Sequence, residues 1–173
     1  MKIVVQIILF FLCVNFQLNA QGSEDDVLKN ETFIELGGPS VIGSINYERR
    51  FILQEKTYLS ARIGIGFVHL NDFTNKFNPD ILIPLGVNFN YIFKRLNNSS
   101  LSTSIGAGNT IASIVILGDD YSPNRINNNN GYVKIGVKWT FKQFLNIGLA
   151  YTPIFENYSS IRHWGGISIG YSF

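Results

Sequence analysis

The chain has 173 residues, 46% of them hydrophobic and 14% aromatic, with 14 basic against 12 acidic residues for a formal net charge of +2. This near-neutral balance, with charges scattered rather than gathered into a basic stripe, excludes a nucleic-acid binder. The single cysteine, Cys13, excludes a disulfide framework and a thiolate metal site.

Lys2 gives a short positive start, residues 3–14 an apolar stretch broken by Gln6, and residues 15–20 a polar region ending in Ala20. That order is a secretory signal peptide, residues 1–20, too short in its apolar part to span a bilayer as a helix. Leu12 stands where a lipoprotein site would want a small residue before its cysteine, so Cys13 is expected to leave with the signal. Residues 21–30 (QGSEDDVLKN) are polar and acidic and read as a disordered lead-in, which leaves residues 31–173 as one domain.

From there the chain alternates with period two between polar breaks. In residues 31–51 the phase is broken: Val41, Ile45 and Tyr47 lie on one parity, whereas Ile34 and Leu36, before Gly37-Gly38-Pro39, lie on the other. Either a bulge re-phases one strand or a tight turn at residues 37–40 divides two. Leu59, Ala61, Ile63, Ile65 and Phe67 then alternate with Ser60, Arg62, Gly64 and Gly66. Residues 81–93 follow with apolar odd positions, and Leu101, Thr103, Ile105 and Ala107 alternate with Ser102, Ser104, Gly106 and Gly108. Val133, Ile135, Val137, Trp139 and Phe141 oppose Lys134, Gly136, Lys138, Thr140 and Lys142; Leu145, Ile147, Leu149 and Tyr151 oppose Asn146, Gly148, Ala150 and Thr152. The last segment sets Ile167, Ile169, Tyr171 and Phe173 against Gly166, Ser168, Gly170 and Ser172.

Six clear segments plus a divided first stretch make eight. Single-chain bacterial barrels have even strand numbers with both termini on the periplasmic side, so the expected fold is all-β, an eight-stranded antiparallel up-and-down transmembrane β-barrel. Working back from a periplasmic Phe173, the breaks at residues 157–162, 118–130 and 70–78 fall outside, and those near Gln143 and at residues 96–98 and 52–56 fall inside. Long outside and short inside is the asymmetry such barrels show.

A soluble lipocalin-like barrel would put its greasy face inward. Here one face is branched and aromatic while the other carries Gly, Ser, Thr, Asn and charges, and so narrow an interior accepts only the second. The apolar face is therefore expected to meet hydrocarbon. Tyr47, Phe51, Tyr91, Phe93, Trp139, Phe141, Tyr171 and Phe173 fall at the proposed periplasmic ends, and Phe67, Tyr132, Tyr151, Phe155 and Trp164 near the outer ends, as two interfacial girdles.

The signal peptide, the segment ELGGPSVIGSINYERRF (residues 35–51), the repeated Ile-Gly-hydrophobic strands and the terminal GYSF resemble the small bacterial outer-membrane β-barrel proteins of the OmpX and OmpA-barrel kind. The resemblance implies an integral outer-membrane protein of a Gram-negative cell, monomeric, with lipid and lipopolysaccharide around it. It also implies that the outer-membrane assembly machinery meets the C-terminal strand.

Arg62, Lys134 and Lys138 sit mid-strand on the inward parity with Glu48, and isolated charges there would be costly, so Glu48 is expected to pair with one or more of them. The four would either plug the lumen or ring a narrow channel for small solutes. His163, with Ser159, Ser160 and Glu156 nearby, is the candidate set for a lipid-modifying enzyme. Barrels of the lipid A deacylase kind use a His, a Ser and an acid, but their His-x-Ser-Asn run is absent, because Trp164 and Gly165 follow His163. The other histidine, His69, also falls near an outer strand end. Asp119 and Asp120 beside Tyr121 lack the spaced ligands of a calcium loop, residues 127–130 read as a polar tip, and Gly37-Gly38 and Gly165-Gly166 read as turns or kinks. No cofactor or metal is expected. The leading expectation is a non-enzymatic barrel with a structural or surface-interaction role.

Overall fold

A computed structural model describes residues 28–53, 55–96, 98–156 and 160–173. The expected signal peptide, Cys13, Asn97, Asn157 and Ser159 lie outside the described residues. Eight strands run in chain order: β1 (Asn30–Gly37), β2 (Gly43–Leu53), β3 (Thr57–Phe67), β4 (Ile81–Leu96), β5 (Ser99–Leu117), β6 (Pro123–Phe141), β7 (Leu145–Phe155) and β8 (Ile161–Ser172). Each is antiparallel to the next, and β1 pairs with β8, closing an up-and-down barrel. The seam is sealed at its end by paired backbone bonds, Asn30 N–H to Phe173 O at 3.0 Å and Phe173 N–H to Asn30 O at 2.8 Å. The ring leaves no sheet edge there.

The broken phase of residues 31–51 is a turn and not a bulge. A 3-10 turn, Gly38–Ser40, separates β1 from β2, and the even-numbered Ile34 and Leu36 and the odd-numbered Ile45 and Tyr47 all end on the outer surface. Gly37 at φ 77 and Gly38 at φ 64 make that reversal, a backbone region glycine enters at little cost. β1 begins at Asn30, one residue inside the expected lead-in.

Cross-strand register stacks like on like. Ile34 faces Ile45 on one side and Ile169 on the other, Ile45 faces Ile65, and Leu149 faces both Val137 and Ile167. These side chains are about half exposed, Ile34 at 52% and Leu149 at 60%. The inward parity holds Glu31, Glu35, Asn46, Glu48, Ser60, Arg62, Asn88, Asn90 and Asn146, all buried. The protein is inside-out relative to a water-soluble barrel: its polar groups are the core. Besides the register shifts at Phe51/Leu53 and Ile92/Lys94, two gaps interrupt the ladders. The β3–β4 register passes from Ile63–Leu85 to Gly66–Leu82, and the β6–β7 register from Tyr132–Ile154 to Ile135–Tyr151. Each gap holds a proline, Pro84 or Pro153, which has no N–H to give to the ladder.

Four expectations are corrected. The break expected at residues 118–130 shrinks to residues 118–122, because β5 and β6 are each 19 residues long and pair through to Leu117–Pro123. The Asn-rich run at 127–130 is therefore strand, not tip; its backbone satisfies the ladder with residues 110–113 whatever its side chains prefer. Tyr132 is not part of a girdle: it shares the parity of Lys134, is 3% exposed, and donates its hydroxyl to Leu85 O at 3.0 Å. Trp164 is likewise no girdle residue, since it shares the inward parity of Gly166 and is half-buried; Gly165 and Gly166 lie within β8, which removes the turn and leaves the strand reading of that pair.

Candidate functional site

Alternation along β1, β2, β3 and β6 brings seven charged side chains to one axis. Glu35 lies at the centre. Arg62 donates to its Oε2 and Lys134 to its Oε1, both at 2.7 Å. Glu31 accepts from Lys138 at 2.8 Å and from Arg50 at 3.0 Å. Glu48 is 3.7 Å from the Lys138 ammonium and accepts a hydrogen bond from Asn88 at 3.1 Å. The structure thus brings all four expected lumen residues together, but Glu48 touches only Lys138 among the cations at ion-pair distance, and Glu31 and Glu35 do most of the pairing.

Neutral groups complete the network. Arg62 also donates to Asn46 at 2.6 Å, and the guanidinium lies 5.2 Å from the Phe33 ring centroid, with the Lys134 ammonium 5.8 Å from the same ring. Phe33 offers two cations its face, a contact that strengthens where water is excluded. Toward the short-turn end, Arg50 reaches Ser172 at 3.0 Å, Asn146 donates to Ser172 at 2.7 Å, and Thr140 donates to Asn146 at 2.7 Å. Toward the other end the 3-10 turn folds inward: Gly38, Pro39 and Ser40 are buried, and the Pro39 carbonyl accepts from Thr110 at 3.0 Å. Between these ends the lumen keeps a hollow of about 20 Å³ bordered by Glu31, Phe33, Glu48, Lys134 and Lys138, space for about one water. A far larger hollow, about 740 Å³, is an open depression on the outer wall bordered by Leu36, Thr103, Val137, Leu149, Tyr151 and Ile167.

Ser159 lies outside the described residues, and among the described ones the enzyme candidates are not assembled around a serine. His163 Nδ1 hydrogen-bonds to the Tyr151 hydroxyl, with the two rings stacked at 5.9 Å between centroids. Ser160 donates to Glu156 at 3.0 Å, and the other oxygen of Glu156 takes the Arg162 guanidinium at 3.0 Å. A nucleophile needs its base on its own oxygen. Ser160 instead caps an acid, and His163 belongs to a separate aromatic pair.

Outside the barrel wall two aspartates organise loops. Asp72 Oδ1 accepts from the Thr74 hydroxyl at 2.6 Å and from the Thr74 and Lys76 amides, and these bonds, the hydroxyl foremost, hold its carboxyl below the usual range. Asp120 is lowered in the same way by the hydroxyl and amide of Ser122. His69 meets Asp80 at 3.1 Å, and Asp80 also accepts the Val115 amide at 2.7 Å. Among the described residues no three His, Cys, Asp or Glu side chains gather as metal ligands would.

Sequence reasoning missed Glu31, Glu35 and Arg50. The signal was present: Glu31 and Glu35 sit opposite Ile34 and Leu36, on the parity that the turn at residues 38–40 makes continuous with Glu48 and Arg50.

No protein-family model matches the chain, and no curated protein sequence does. Among solved structures the chain is similar to the N-terminal β-barrel domain of Pseudomonas aeruginosa OprF, with a TM-score of 0.56 at 16% identity, covering 84% of this chain and 96% of that one. Neisserial surface protein A gives 0.51 at 11% identity, over 83% and 93% of the two chains. Ail, the attachment invasion locus protein of Yersinia pestis, gives 0.50 at 10% identity, over 84% and 99%. All three are small eight-stranded outer-membrane barrels, and the likeness shows that fold.

Proposed function

We propose that this chain is an integral outer-membrane barrel of a Gram-negative cell, without a catalytic step, whose role is structural or surface-interacting. The observation that carries the reading is the sidedness of the wall: a continuous band of half-exposed Ile, Val, Leu and aromatic side chains outside, and buried Glu31, Glu35, Glu48 and Arg62 within. In water that arrangement would expose the apolar face and bury charge, whereas in a bilayer both faces are in their own medium. Aromatics gather at one end of the wall, where Trp139 stacks on Phe141 at 4.3 Å and Tyr171 packs against Phe144 and Phe173. Rings there suit a headgroup interface.

The surface role belongs to the β5–β6 hairpin. Beyond Ser113 and Gly131 these strands pair only with each other, so residues 123–130 of β6 present an open edge about 26 Å long and residues 114–117 of β5 a shorter one. The distal half of this ribbon is braced by Arg125, which donates to Asn78, Pro79 and Ser113, and by the Asp80–Val115 bond. The partners of the wall are acyl chains and outer-leaflet lipopolysaccharide; β8, with its apolar ladder, is the strand offered to the assembly machinery.

Cysteine scanning tests this directly, since the described residues contain no cysteine. Asn127→Cys in whole cells should react with a membrane-impermeant maleimide, and Gln143→Cys should react only after the outer membrane is opened. Recovery of the protein in the soluble periplasmic fraction, or the reverse labelling pattern, rejects the reading.

A further inference from the structure

The exposed charges of this barrel are sorted by end. At the rim that carries the short turns and the β1–β8 seam, Lys29, Arg49, Lys56, Lys94, Arg95 and Lys142 are all exposed, and Glu55 is the one acid beside them among the described residues. None of the six makes an ion pair with a described residue; Arg95 donates to the Glu55 backbone carbonyl, not to its carboxylate. The opposite end reverses the balance. There Asp72, Asp119, Asp120 and Glu156, with the buried Asp80 behind them, face Lys76, Arg125 and Arg162, and the last two are engaged by loop oxygens or by Glu156.

Arg49 tells what the basic rim meets. It lies on the outward parity of β2 between Tyr47 and Phe51, in register with Asn30 at the seam, where Tyr47 bonds Asn30 at 2.7 Å. A guanidinium on the wall itself, among rings that mark the interface, is neither in the lumen nor free in solution. It sits beside headgroups, where a long basic side chain reaches phosphate while its stem stays in hydrocarbon. Lys94 follows the β4 bulge at Ile92–Lys94 and pairs opposite Leu101, beside the exposed ring of Phe93. Lys56 and Lys142 continue the ring around the turns.

We infer that the short-turn rim is a docking surface for anionic phospholipid headgroups, so that the barrel draws such lipids from the leaflet around its short-turn end. This rests on the membrane reading above. The occupant is lipid rather than a soluble polyanion because the cations share the level of the aromatic belt and one of them points out from the wall.

Purified protein is refolded into phosphatidylcholine vesicles with phosphatidylglycerol as the minor component, and the motional restriction of spin-labelled forms of both lipids is compared by electron paramagnetic resonance. Phosphatidylglycerol should be enriched beside the protein by about fivefold, the effect of about one basic side chain acting on each such lipid. The enrichment should fall to near parity in an Arg49→Gln, Lys94→Gln, Arg95→Gln variant and in about 1 M salt, where charges are screened beyond about 3 Å. Lys76→Gln, at the other end, should leave it unchanged. Parity in the unaltered protein, or enrichment that survives the triple variant, overturns the assignment. If enrichment emerges only after Glu24→Gln, Asp25→Asn and Asp26→Asn, the chain's own acidic segment fills the rim and the proposal fails. It fails equally if the protein shows lipid parity but sediments with peptidoglycan in a manner that the triple variant abolishes. Failure to insert at all, seen as full protease digestion of the vesicle sample, would bring down the membrane reading instead.

Discussion

Glu35 pairs with two cations at the centre of the lumen. It is 1% exposed and holds Arg62 and Lys134 on separate oxygens, while its carboxyl packs against Gly38 of the inward turn. Desolvating three charges is expensive, and the arrangement is tolerable only because each finds a partner at hydrogen-bond distance. Removing the acid leaves two buried cations facing one another with Asn46 and the Phe33 ring as their remaining company. Glu35→Ala should therefore lower stability by about 3–5 kcal/mol. Glu35→Gln, which keeps the volume and one acceptor oxygen, should cost less. Urea unfolding of the detergent-solubilised protein, followed by tryptophan emission, orders the two variants. Midpoints that coincide with the parent's would show that the lumen charges are solvated and not paired.

The turn between β1 and β2 is the element most constrained by backbone geometry. Gly37 stands at φ 77, and a Cβ there would come within 2.1 Å of the Gly165 carbonyl across the seam. Gly37→Ala should cost about 1–3 kcal/mol for the backbone alone, with more for the displaced β8. It should appear as loss of the compact, heat-modifiable band on a gel at lower temperature than the parent, whereas Gly131→Ala, which meets nothing within 4 Å, should behave as the parent does. This element also marks how far the fold was legible. Six strands could be read because a wall that separates lipid from a polar lumen forces strict alternation. The first two could be inferred only from parity and count, because a three-residue turn shifts the phase within one short stretch. That shift hid Glu31 and Glu35, and with them the centre of the charge network; Arg62, Lys134 and Lys138 stood in strands of unambiguous phase, and Glu48 followed from the shared parity of Val41, Ile45 and Tyr47. The β5–β6 ribbon was illegible for the opposite reason. Beyond the wall neither face must be apolar, so residues 114–117 and 123–130 obey no period, and their pairing rests on backbone bonds that side chains do not announce.

At the scale of the whole molecule the question is whether the ring is a pore. Eight strands enclose a lumen that side chains can fill, whereas larger barrels are left with water. Here the filling is charged, paired and continuous. Arg50, Asn146 and Ser172 close the short-turn end, the Glu31–Lys138 and Glu35–Arg62–Lys134 clusters occupy the middle, and the buried Gly38–Ser40 turn covers the far end with Leu82, Ala112, Tyr132 and Ile154 around it. The hollow between Glu31, Glu48 and Lys138, about 20 Å³, admits about one water, too little for a hydrated ion. Passage would require the ion pairs to part, each parting leaving a charge in a medium of low dielectric. Planar-bilayer recordings should accordingly show no discrete conductance steps, even where protease protection and β-type circular dichroism prove that the barrel has inserted. A steady, stepwise current from such a preparation, retained when the applied voltage is reversed, would mean that the charged axis is an open water path and that the paired lumen is not the resting state of this protein.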